Sequence, residues 1–194
     1  MKRVILTLAL TSLTWSPILP AEENSETELA NFRNVAKQLG GTLKSELMAA
    51  MKSEGPMAAI AICNEKAPEI SAKISQEMKF KVARTSLKPR NADNAPDEWE
   101  KQVLMQFEER KAQGEDPKQL EFHAVVETEG QRQRRYMKAI PTTEECLTCH
   151  GTELIPEIKA KLEELYPDDK ATGFKVGDLR GAFTFTETLA GSAK

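Results

Sequence analysis

Cys146-Leu147-Thr148-Cys149-His150 sets two thiols three residues apart, with an imidazole directly after the second. On one helical turn, thiols at that spacing can each add to one vinyl group of a haem, and the adjacent histidine is then placed beneath the iron as proximal ligand. Other chemistries of a cysteine pair fit less well. A thioredoxin-like redox pair wants a strand running into the cysteine helix, whereas Pro141-Thr142-Thr143-Glu144-Glu145 precede this one. A zinc site needs four ligands, and Cys63, Cys146, Cys149 and His150 are available, but Cys63 lies 83 residues before the pair rather than at finger spacing. A disulfide across two intervening residues is strained. The pattern therefore predicts one covalent haem c, attached through Cys146 and Cys149, with His150 on the iron.

An iron that serves electron transfer usually takes a second axial ligand, and the chain offers few. His123 is the only other histidine. It falls beside Glu121 and Glu127 on the charged face of an expected strand, the setting of a solvent-exposed side chain. Met137 is the one methionine near the motif in sequence. Cys63 sits on an apolar helix, and a lone thiol in an oxidising compartment needs protection, which iron coordination would supply.

Lys2 and Arg3 precede the apolar run Val4 to Leu13, and small Ala21 precedes Glu22-Glu23. This predicts a secretory signal peptide over residues 1–21 and a periplasmic or secreted protein. The apolar run is well short of the roughly 20 residues that span a bilayer, so no stable membrane insertion is expected after cleavage. Cleavage there removes two basic groups and no acidic ones, moving the formal charge from -3 to -5. An acidic chain without a basic stripe argues against nucleic acid or anionic membranes as partners.

The elements that must position the motif follow from periodicity. Leu29, Phe32, Val35, Leu39, Leu43, Leu47 and Met51 mark one face of a long helix over 28–52, with a kink expected at Gly40-Gly41. Gly55-Pro56 breaks it and starts a second helix carrying Cys63; Pro68 is expected to open a further turn. Strands are expected over 80–87, 120–127, 133–140 and 178–186, with a helix from the Asp97 cap to Ala112 and another over 156–165. Helices first, then strands interleaved with helices, imply an α+β fold with an antiparallel sheet. We divide the chain into the signal peptide, an N-terminal helical segment over 22–55 and the cofactor-bearing domain over 56–194.

Several segments carry a resemblance: Ala61-Ile62-Cys63-Asn64 with Ala67-Pro68, Arg84 to Asn91, Asn94 to Glu100, Cys146 to Gly151, Tyr166 to Gly173 and Gly177 to Gly181. Together they resemble a family of bacterial c-type monohaem domains that occur as secreted proteins or as sensor portions of membrane histidine kinases. The resemblance implies a PAS-like antiparallel sheet flanked by helices, and axial ligation by His150 and Cys63. Arg84, Arg90, Arg135 and Arg180 are candidates to neutralise the haem propionates, because a guanidinium can bind a carboxylate bidentately. The expected role is electron transfer with an unidentified redox partner protein. The alternatives are a haem-based redox or gas sensor, with a small gaseous ligand, and, ranked last, a peroxidase-type enzyme.

Overall fold

The computed structural model describes residues 22–128 and 130–189; the expected signal peptide lies outside them. Helix α1 (Glu22–Ser53) is one unbroken helix. Leu29, Phe32, Val35, Ala36 and Leu39 are its buried stripe. The glycine pair does not interrupt it. A Cβ at Gly40 would meet Phe183 Cζ at 3.0 Å, so that glycine serves the close approach of helix to sheet. Gly55, at φ +84, turns the chain, and Pro56 begins helix α2 (Pro56–Met78). Pro68 lies inside α2 rather than opening a new turn. The helix continues past the missing amide because its apolar side is held against α1.

Strands β1 (Lys81–Thr85), β2 (Glu121–Thr128), β3 (Gln131–Pro141) and β4 (Leu179–Thr188) form an antiparallel sheet in the order β1-β4-β3-β2. Its two faces follow the period of two along each strand. Tyr136, Phe185 and Val82 face α1 and α2, joining Phe32, Phe80 and Ile74. Met137, Ala139 and Ala182 face the opposite way, onto Val103, Leu104 and Phe107 of helix α3 (Glu98–Ala112). Phe32 stacks on Tyr136 at 5.3 Å and Tyr136 on Phe185 at 5.6 Å, so the first helix and the last strand share one aromatic cluster. Each such buried ring stabilises the fold by about 2–3 kcal/mol. The sheet covered by helices is the α+β architecture expected, and it fits a PAS-like fold.

The cysteine pair sits beyond one end of the sheet. A 3₁₀ turn over Glu144–Cys146 leads into the single-turn helix α4 (Leu147–His150), and helix α5 (Pro156–Leu165) follows. Ile158, Leu162 and Tyr166 pack with Ile60 of α2, and Cys149 borders this cluster. A second tie crosses from α1, where Lys44 pairs with Glu145 at 3.2 Å. Among the described residues no helix is long and apolar enough to cross a membrane.

Candidate functional site

His150 is held by backbone on both sides. The Phe174 amide donates to its carbonyl at 2.9 Å, and the Gly173 amide donates to Gly151 at 2.9 Å. These bonds splice α4 onto the segment that enters β4. A Cβ at Gly151 would lie 2.6 Å from the Leu147 carbonyl oxygen, so only glycine closes this turn so tightly. The imidazole Nδ1 meets the Ala171 carbonyl at 2.7 Å. A carbonyl can only accept, so the proton is on Nδ1 and Nε2 carries the lone pair. Burial holds the imidazole well below its usual pKa, and Arg180 and Arg90 add to the effect. A neutral ring whose Nδ1–H is held by a carbonyl is how metal-ligating histidines are commonly oriented.

Three arginines gather around that ring. Arg180 Nε approaches His150 Nε2 at 3.5 Å, while its Nη1 donates to Ser86 Oγ and to the Lys88 carbonyl, each at 3.2 Å. Burial, then Arg90 and Arg84, pull its pKa down to about 10. Arg84 is pushed down by burial as well, with Cys63 and Tyr166 partly offsetting it. Among the described residues its guanidinium has no hydrogen bond or ion pair. Arg90 is occupied differently: Nε binds Asp169 at 3.0 Å, and Nη2 donates to the carbonyls of Cys149 at 2.6 Å and Ala171 at 3.2 Å. With Arg90 neutralised by Asp169, Arg84 and Arg180 are left as two uncompensated cations. Buried charge without a partner is costly, which marks the pair as a seat for anionic groups.

Cys63 on α2 faces the same group. Its residue surface is exposed. Burial of the thiol nevertheless raises its pKa, with Arg84 and Arg90 opposing. Cys149 is also raised, by burial first, and interacts electrostatically with Arg90, Cys63 and Cys146. All three cysteines are free thiols. Asn64, next to Cys63, donates to the Leu165 carbonyl at 3.4 Å and ties α2 to the end of α5.

The structure thus brings Cys63, Cys149, His150, Arg84, Arg90 and Arg180 into one group, with Cys146 a turn away, its Sγ 3.3 Å from Thr143 Oγ1. Arg135 is not in it. Strand alternation turns Arg135 to the α3 face, where it pairs with Asp97 at 2.6 Å and Glu100 at 3.2 Å over the Trp99 ring. Arg84, two residues on from Val82 in β1, shares the opposite face. Met137 is also removed from the site, fully buried under α3. His123 is exposed on edge strand β2. A cavity of about 120 Å³ beside Ser86, Lys88 and Phe174 borders the Arg180 anchor, too small for a macrocycle when small-molecule sites run to roughly 300–1,000 Å³.

Sequence reasoning missed the Ala171 carbonyl, the Asp169 carboxylate and Tyr166. All three fall in Tyr166 to Gly173, whose composition signals a turn but whose chemistry is mostly backbone.

Residues 16–187 match the family described as Tll0287-like. The chain belongs to the Tll0287-like family. A solved structure, described as that of the cyanobacterial haem protein Tll0287, superposes with a TM-score of 0.64 at 25% identity, covering 86% of this chain and 98% of that one. No curated protein matches the chain. The Tll0287-like relationship spans α1 through β4, so it includes every residue of the group around His150.

Proposed function

We propose that this chain is an exported c-type monohaem protein that carries electrons. Residues 1–21 direct export, 22–55 brace the sheet, and 56–194 hold one haem. Cys146 and Cys149 would hold it covalently through its vinyl groups, and His150, through Nε2, and Cys63 would be the iron ligands. Haem iron supplies reversible one-electron chemistry.

The observation that carries this reading is the neutral His150 ring, its Nδ1–H held by Ala171 and its Nε2 next to the Arg180 guanidinium. Two propionates would supply the negative charges that Arg84 and Arg180 lack as partners, since a guanidinium can donate to a carboxylate bidentately. The relationship to a haem protein supports the choice of ligand. The rigid splice between α4 and residues 171–174 favours small rearrangement on electron transfer. Zinc is a poorer fit, because it needs four ligands and Cys63 lies 83 residues before the cysteine pair rather than at finger spacing. The exposure of Cys63 favours one second reading, a redox or gas sensor in which that thiolate is displaced or oxidised.

Production in a host with cytochrome c maturation, followed by acid-acetone extraction, tests the central statement. Colour that stays with the polypeptide, at one haem per chain, is expected; pigment that extracts, or none, refutes covalent attachment. Carbon monoxide added to the reduced protein separates the roles. A carrier keeps its spectrum, and prompt binding selects the sensor.

A further inference from the structure

We propose that Arg90 and Asp169 form a clamp that fixes the His150 ring and moderates the acceptor strength of the Ala171 carbonyl, tuning the electron donation His150 delivers through Nε2. The inference rests on ligation by His150 and deepens it with two positioning residues.

The clamp is a closed set of contacts. Arg90 and Asp169 pair at 3.0 Å, and each side chain is only 11% exposed. Asp169 Oδ1 accepts from the Ala171 amide at 2.7 Å, and Arg90 Nη2 donates to the Ala171 carbonyl at 3.2 Å. The two side chains therefore hold both faces of the peptide units around Ala171. The same Nη2 donates to Cys149 at 2.6 Å, fixing the residue before His150. Ligand and acceptor are positioned by one guanidinium. Lys170 adds a backbone anchor to Pro89, beside Arg90 in sequence, at 3.0 Å.

The electronic consequence follows from the shared carbonyl. Ala171 O accepts from His150 Nδ1–H at 2.7 Å and from Arg90 as well. A carbonyl that spends part of its lone-pair density on a cation pulls less strongly on Nδ1–H, so the ring keeps less imidazolate character and Nε2 donates less. Weaker donation favours the reduced metal, and Arg90 thus raises the potential.

The test uses the full chain labelled with ¹⁵N-histidine, haem-loaded and haem-free, as wild type, Arg90→Gln, Arg90→Lys and Asp169→Asn. In the wild type His150 Nδ1–H is expected in slow exchange, with exposed His123 as the internal control. Arg90→Gln should accelerate that exchange about tenfold, the factor that one lost net hydrogen bond carries, and lower the reduction potential of the loaded protein. Arg90→Lys keeps the charge but lacks the fork, so it should resemble Arg90→Gln. Asp169→Asn, which loosens the pair but keeps the guanidinium, should accelerate the exchange by less and should not lower the potential. A lysine variant that behaves as wild type, or unchanged exchange in both Arg90→Gln and Asp169→Asn, overturns the clamp. Failure of haem ligation would show instead as an absent iron signal from His150 with the haem-free exchange pattern intact.

Discussion

Arg84→Gln separates the cost of gathering guanidiniums from their use. Arg84 spends no side-chain hydrogen bond on the fold among the described residues, so the substitution removes charge and little else. The cost can be scaled from Arg180, brought from 12.5 to about 10 by burial, then Arg90, then Arg84. That displacement corresponds to on the order of 3 kcal/mol for all causes together, an upper bound because Arg180 keeps some contact with water and because burial and Arg90 both outrank Arg84. The haem-free variant should therefore be more stable than wild type by less than that bound, with a higher Tm. Haem retention should move the other way. With Cys146→Ala and Cys149→Ala as background, so that ligation and charge alone hold the cofactor, loss of one charge-assisted bond worth about 1.5–3 kcal/mol should speed haem loss at least tenfold. Thermal unfolding by circular dichroism reads the first quantity, and haem transfer to an excess scavenger protein reads the second. A haem-free variant destabilised by about 1 kcal/mol or more, or an unchanged rate of haem loss, refutes the anionic seat.

Cys63→Ala should leave the haem attached while changing its ferric spectrum to high spin or to a water ligand and raising its potential, because an anionic sulfur stabilises ferric iron; potentiometry with absorption spectra checks it, and an unchanged spectrum makes Cys63 a bystander. Gly181→Ala should destabilise the fold by about 3 kcal/mol or more in urea titrations, since its Cβ would lie 2.3 Å from the Thr85 carbonyl oxygen at φ +153. Burial pushes the Glu121 carboxyl up, but hydrogen bonds from Arg33 and Tyr136, with the charge of Lys138, outweigh it and hold it below the ordinary value. Its contribution is present above the unfolded pKa near 4.5 and is lost as pH falls through the lower folded value, so wild type should lose more stability than Glu121→Gln between pH 5 and 3 in urea midpoints.

Much of this fold was readable because periodicity marks what is buried. The stripe from Leu29 to Leu39, the alternation around Phe122 and the Asp97 cap with its Glu100 partner each carry a local signal. The errors lie where tertiary contact overrides local chemistry. Pro68 is carried inside α2 by packing, and Gly40 answers to Phe183, more than a hundred residues distant. At the site, spacing alone picked out Cys146, Cys149 and His150. Sorting the arginines required strand parity, which sends Arg135 to α3 and Arg84 to α2. The Ala171 carbonyl bears no side-chain signal at all, so no residue-type reasoning reaches it.

The sheet order also sets a sequence of events in time. Strand β4 lies between β1 and β3 and is the last described element, so β1 has no sheet partner, and β3 only β2, until residue 188 has been delivered. Until then Phe32 and Tyr136 lack Phe185, and residues 142–151 lack much of the segment that pins them. Non-local pairing of this kind closes late and slowly. On the export and haem attachment proposed above, Cys146 and Cys149 would stay open peptide for an interval before the core seals, and a variant that folds faster would shorten the time for attachment.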